Sequence, residues 1–232
     1  MNEHTSKKFD AELEGIRTRV LQMGGMVELQ IVKAMEGLSE GDLLLIDQVI
    51  ENDNRVNHLE IELDEACNQV IAKRQPTAVD LRMISTVQKT ITDLERIGDE
   101  AKKIAKTAKQ LHTTGSTFTP QIRLAHIATA VVDMLRTSLD AYARLDTIAA
   151  AQVVRQDKEV DAEFKGIMRQ LITYMMEDPR TISQSIELMF VAKSVERIGD
   201  HAKNIAEYLV YMVKGRDVRH TSLEEIEREA TR

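Results

Sequence analysis

Along residues 9–38, apolar side chains recur at Ile16, Val20, Met23, Val27, Ile31, Ala34 and Leu38. Steps of three and four place them on one stripe of an α-helix, which turns once every 3.6 residues. Ser39, Glu40 and Gly41 interrupt the pattern, and Asp42 stands where it would cap a second helix. That helix covers about 43–73 through Leu45, Val49, Val56, Leu59, Leu63, Val70 and Ile71. Pro76 and Thr77 separate it from a third over about 78–112. TTGSTFTP (113–120) reads as a linker, after which helices are expected at about 121–145, 147–176 and 181–214. Asp146-Thr147 starts the fifth, and the turn Glu177-Asp178-Pro179-Arg180 leads into the sixth. All three prolines fall at helix boundaries, where a fixed φ and a missing N–H cost least.

The pattern is written twice. A shift of 104 residues lays Val20 over Leu124, Val27 over Val131, Asp42 over Asp146, Asp53 over Asp157 and Val56 over Val160. In the third helix the shift is 101, and DLERIGDEAKKIAK (93–106) lies over SVERIGDHAKNIAE (194–207) with nine of fourteen positions identical. Shared apolar spacing is common among helices, but a shared E-R-I-G-D-x-A-K-x-I-A is not, so the chain is an internal duplication. The expected fold is all-α: two tandem three-helix bundles, six long helices in all, related by a pseudo-twofold. The first repeat is assigned to 1–114 and the second to 115–215, with a charged tail at 216–232 that is expected to fray.

Composition agrees with helix-on-helix packing. Hydrophobic residues make up 43% of the 232, aromatics only 3%, with eleven Met and no Trp. A net charge of −7 argues against nucleic-acid binding, which needs a basic face. The single Cys67 excludes an intrachain disulfide framework and suits a reducing compartment. The first fifteen residues hold no apolar signal core, and nowhere do eighteen apolar residues run uninterrupted. A cytoplasmic location is expected, with any membrane association made through partners.

Four acidic pairs carry the candidate chemistry. Glu95 and Asp99, and again Glu196 and Asp200, stand at i, i+4 on one helix face, where like charges repel unless a cation lies between them. The second helix of each repeat offers Asp53 with Asn57 and Asp157 with Asp161. Measured from turns at about 75 and 179, the midpoints lie 20 residues before and 22 after in the first hairpin, and 20 before and 19 after in the second. The pairs are therefore expected level with each other on neighbouring helices. All-oxygen ligands suit hard or borderline cations such as Mg²⁺, Mn²⁺, Ca²⁺ or iron, with zinc not distinguished. The alternative is a set of solvated helix salt bridges, Asp99 to Lys102 or Lys103 and Asp200 to Lys203. Gly98 and Gly199 lie mid-helix inside the motif, leaving room for an ion or for a close helix approach. Arg96 and Arg197 follow the glutamates as candidates to bridge the two repeats, bind phosphate or pair with carboxylates, and Met175 and Met176 read as core filler. No histidine has a Glu three positions before it, and no Walker A loop, nucleophile elbow or zinc-ligand spacing occurs, so no catalytic residue is assigned.

With these motifs in view, the chain resembles the PhoU family of bacterial phosphate-signalling proteins. The resemblance runs through MGGMVE (23–28), DEACNQVIAKRQPTAVDLR (64–82), both ERIGD motifs, RQLITYMMEDPRTI (169–182) and VKGRDVRH (213–220). It implies two three-helix bundles, often paired as homodimers, that act as a negative regulator beside the phosphate-specific ABC transporter. The partners implied are the transporter's ATPase subunit and a phosphate-responsive histidine kinase. It also implies metal binding through E(D)-x-x-x-D pairs, carried here by Glu95/Asp99, Glu196/Asp200 and Asp157/Asp161. Asn57 stands where an acid is expected opposite Asp53, which weakens the first site. A metal-dependent phosphohydrolase and a metal store are the competing functions, both drawing on the same carboxylates.

Overall fold

The protein is described by a computed structural model over residues 7–113 and 122–232. Local chemistry sets several of the helix ends. Helix α1 covers Lys7–Glu40, α2 covers Leu43–Arg74 and α3 covers Ala78–Thr113. The second repeat follows as α4 Leu124–Arg144, α5 Thr147–Glu177 and α6 Ile182–Lys214, the last preceded by a 3₁₀ turn at Pro179–Thr181. The duplicated caps act alike: Asp42 Oδ1 accepts the N–H groups of Leu44 and Leu45 at 3.0 and 3.1 Å, and Asp146 Oδ1 accepts those of Ile148 and Ala149 at 3.0 Å each. Such a cap satisfies otherwise orphaned N–H groups and is worth about 1 kcal/mol. Helix α6 stops at Gly215, whose φ of 74° closes the final turn in the left-handed region where a side chain would be strained. Of the expected linker at 113–120, all but Thr113 lies outside the described residues.

Within each repeat the three long helices pack on one another, α1 with α2 and α3, and α4 with α5 and α6. Between repeats, α3 lies against α6 and α1 against α4. The stripe read from the sequence is the core: Val20, Met23, Val27, Ile31 and Ala34 of α1 are fully buried, as are Val56, Leu63, Leu94 and Ile97. Burying a Val, Leu, Ile or Met side chain is worth about 1.5–3 kcal/mol. Where α1 meets α4, a Cβ on Gly24 would lie 2.5 Å from Leu139 Cδ1, so the glycine lets the two repeats close together. Among the described residues no helix is long and apolar enough to cross a membrane.

Two expectations are corrected. The charged tail forms a seventh helix, α7, at Leu223–Thr231, which packs on α5 instead of fraying. Ser222 caps it, Ile226 and Ala230 are buried, and Thr147 Oγ1 donates to the Ala230 carbonyl at 2.7 Å. Arg216 Nη1 meets Glu229 at 3.1 Å and Arg155 pairs with Glu227, so part of the tail's charge is spent on docking. Met176, expected as core filler, is 80% exposed at the end of α5.

Candidate functional site

Helices α2 and α3 in the first repeat, and α5 and α6 in the second, bring the predicted residues together. Asp53 is fully buried on α2, and Lys102 Nζ reaches across from α3 to donate to its Oδ2 at 2.6 Å. The second repeat repeats the contact: Lys203 Nζ of α6 donates to Oδ2 of buried Asp157 on α5 at 2.7 Å. Both lysines belong to the ERIGDxAK motif, three residues beyond its aspartate. They bridge to the neighbouring helix instead of to Asp99 or Asp200 in their own.

The remaining carboxylates crowd beside these bridges. Burial pushes Glu95 above its usual range, and the negative charges of Asp99, Glu60 and Asp53 add to the rise. Asp200 is pushed up in the same way, by burial and then by Glu196 and Asp157. Asp53 and Asp157 thus lie beside the ERIGD helix of their own repeat, each within reach of its motif lysine. Lys102 is correspondingly held above the usual lysine range by its bond to Asp53. Glu196 accepts from Lys193 Nζ at 2.5 Å, while Asp99, Asp161 and Asp200 sit partly buried.

Gly98 and Gly199 serve close packing. A Cβ at 98 would stand 3.2 Å from Gln30 Oε1 and 3.4 Å from Val56 Cγ1, and one at 199 would stand 3.3 Å from Val131 Cγ1 and 3.5 Å from Val160 Cγ1. The first repeat adds a polar feature. Both amide atoms of Gln30, with Asp53 Oδ1 and Asn57 Oδ1, are buried without a hydrogen-bond partner. A shift of 104 replaces Gln30 by Met134, so this feature belongs to one repeat alone.

As placed, these side chains do not fit a metal ion. Among the described residues no three His, Cys, Asp or Glu side chains converge as ligands. An ammonium already stands against each buried aspartate, and the Asn57 amide donates to Asp53 Oδ2 at 3.4 Å, pointing N–H where a ligand would point a lone pair.

The family model for the PhoU domain matches residues 20–108 and again 124–209, one match on each three-helix repeat. The chain belongs to the PhoU family. It is 48% identical over 229 residues to the phosphate-specific transport system accessory protein PhoU of Escherichia coli K12, covering 98% of this chain and 94% of that one. The PhoU homologue of Pseudomonas aeruginosa is 45% identical over 229 residues, covering 99% and 95%. Among solved structures, PhoU from P. aeruginosa superposes with a TM-score of 0.87 at 46% identity, over 90% of this chain and all of that one. The phosphate transport system regulatory protein PhoU from Streptococcus pneumoniae gives 0.84 at 26% identity, over 90% and 99%.

A second polar cluster joins the repeats, and of its residues only Arg197 stood out in the sequence. Buried Asp93 of α3 bonds His201 Nδ1 of α6 at 2.6 Å, and Asn204 Nδ2 donates to the same oxygen at 3.2 Å. Burial pushes the Tyr208 hydroxyl up to about 12, with Asp93 adding to the rise. Buried Glu100 of α3 meets Lys103 at 2.9 Å and Arg197 of α6 at 3.1 Å, so Arg197 does bridge the repeats by pairing with a carboxylate. A signal was present. The two motif copies differ at five positions, and at three of them, 93/194, 100/201 and 103/204, at least one member of the pair belongs to this cluster.

Proposed function

We propose that this protein is an accessory regulator of phosphate-specific transport, working as an adaptor between the phosphate ABC transporter and a phosphate-responsive histidine kinase. The observation that carries the reading is the end-to-end correspondence, in sequence and in fold, with proteins named as accessory or regulatory proteins of that transport system. The partners are the transporter's ATPase subunit and the kinase's sensory region, met on the cytoplasmic side of the membrane by a homodimer of this chain. An adaptor needs surfaces held at fixed spacing, so that it binds one arrangement of its partners better than another and thereby favours it. The α3–α6 joint supports this, because bonds to the buried carboxylates of Asp93 and Glu100 tie one repeat to the other.

The test has two arms in phosphate-replete cells. Removing the gene should release phosphate-starvation transcription from repression, and the tagged protein should recover the transporter ATPase or the sensor kinase. Unchanged repression together with capture of neither partner by a folded, abundant bait would sink the reading.

A further inference from the structure

We propose that the ammonium groups of Lys102 and Lys203 are themselves the cations of the two acidic stations, so that the chain supplies from its own sequence the positive charge otherwise sought from a metal. Of the residues implied by the family resemblance as metal ligands, Asp157 serves a different cation, and so does Asp53 at the matching position of the first repeat. In both repeats a motif lysine crosses from the ERIGD helix to a buried aspartate of the neighbouring helix, at 2.6 Å in the first and 2.7 Å in the second. Two copies that have diverged at many positions keep this contact, donor atom and acceptor atom included.

The acceptors demand such a partner. Asp53 is 0% and Asp157 5% exposed. A buried carboxylate without a compensating positive charge is strongly destabilising. An octahedral Mg²⁺ draws six oxygens to about 2.0–2.1 Å. Here Asp53 Oδ2 is already engaged by the ammonium and by the Asn57 amide.

A separate observation bears on what the first station accepts once its lysine is gone. Both amide atoms of Gln30, which is 4% exposed, are buried there without hydrogen-bond partners, as are Asp53 Oδ1 and the amide oxygen of Asn57. The oxygens of Gln30 and Asp53 lie within 3.2 and 3.8 Å of the point a Gly98 Cβ would occupy. The oxygen set is thus richer than one ammonium satisfies. A divalent ion could use it once the ammonium is taken away.

The test is thermal unfolding of the whole chain after EDTA treatment and dialysis, with and without millimolar Mn²⁺. The wild type should unfold at the same temperature in both. Lys102→Met keeps the length of the side chain and removes its charge. Its Tm should fall by on the order of 10 °C, and Mn²⁺ should recover a substantial part of the loss. Lys102→Arg should keep the wild-type Tm and ignore Mn²⁺. Should Lys102→Met fail to fold, the pair Asp53→Asn with Lys102→Met decides: with the buried charge gone it should fold and not respond to Mn²⁺. The proposal is overturned if the wild type loses stability in EDTA or gains several degrees with Mn²⁺. It is overturned equally if Lys102→Met is unaltered, if its loss is not relieved by Mn²⁺, or if the double variant fails to fold.

Discussion

Removing the Asp93 carboxylate strips the His201 ring, buried at the joint of α3 and α6, of its 2.6 Å partner. Asp93→Ala is expected to lower the unfolding free energy by about 1–3 kcal/mol, the range for leaving a buried polar group without its hydrogen-bond partner. Urea unfolding of Asp93→Ala, His201→Ala and the double variant should give a coupling above about 1 kcal/mol. Additive losses would show that the two side chains stabilise the joint independently. Glu207 gives a pH signature. Burial pushes its carboxyl up from 4.5 to about 7, with Asp157 and Asp217 adding to the rise and Lys203 and Arg219 opposing it. The native state therefore holds this proton more tightly than the unfolded chain. The resulting stability is complete below about 4.5 and is lost as pH rises through about 7. Wild type should lose Tm relative to Glu207→Gln between about pH 5 and 8. Parallel profiles for the two proteins would remove Glu207 as the source.

At the scale of elements, α7 offers the clearest contrast between a free tail and a packed one. A nine-residue helix is marginal alone, because too few hydrogen bonds offset the cost of its first turn. It forms here because α5 covers Ile226 and Ala230 and because Thr147, Arg155 and Arg216 engage it. Deleting residues 223–232 should speed amide exchange in the first half of α5 and lower Tm by several degrees. An unchanged exchange pattern would mean that α7 contributes nothing in solution. Ile226→Asp should reproduce the deletion without shortening the chain, since it places a carboxylate in the same buried position.

Across the whole molecule, the two repeats share a buried joint between α3 and α6, with the Arg197–Glu100 ion pair in it and Gly24 against Leu139 beside it. Neither repeat covers that face by itself. Unfolding should therefore be one transition, with calorimetric and van't Hoff enthalpies equal. Two resolved transitions would show repeats that unfold separately.

The sequence by itself determined everything governed by nearest neighbours along the chain. Asp42 and Asp146 start helices because their carboxylates reach N–H groups two and three residues ahead, and the apolar stripes name the core because a helix repeats its face every three or four residues. The duplication was legible in the same way, and so was the level placement of Asp53 with the ERIGD helix. What only the tertiary structure decided was the choice among partners at equal sequence plausibility. Lys102 has Asp99 three residues before it, yet its ammonium goes to Asp53 because rotation of α3 against α2 puts that buried carboxylate within reach, where desolvation makes the pairing worth most. Asp93 and His201, 108 positions apart, meet for the same kind of reason. Periodicity says which side of a helix faces inward, but packing alone selects the helix that faces it.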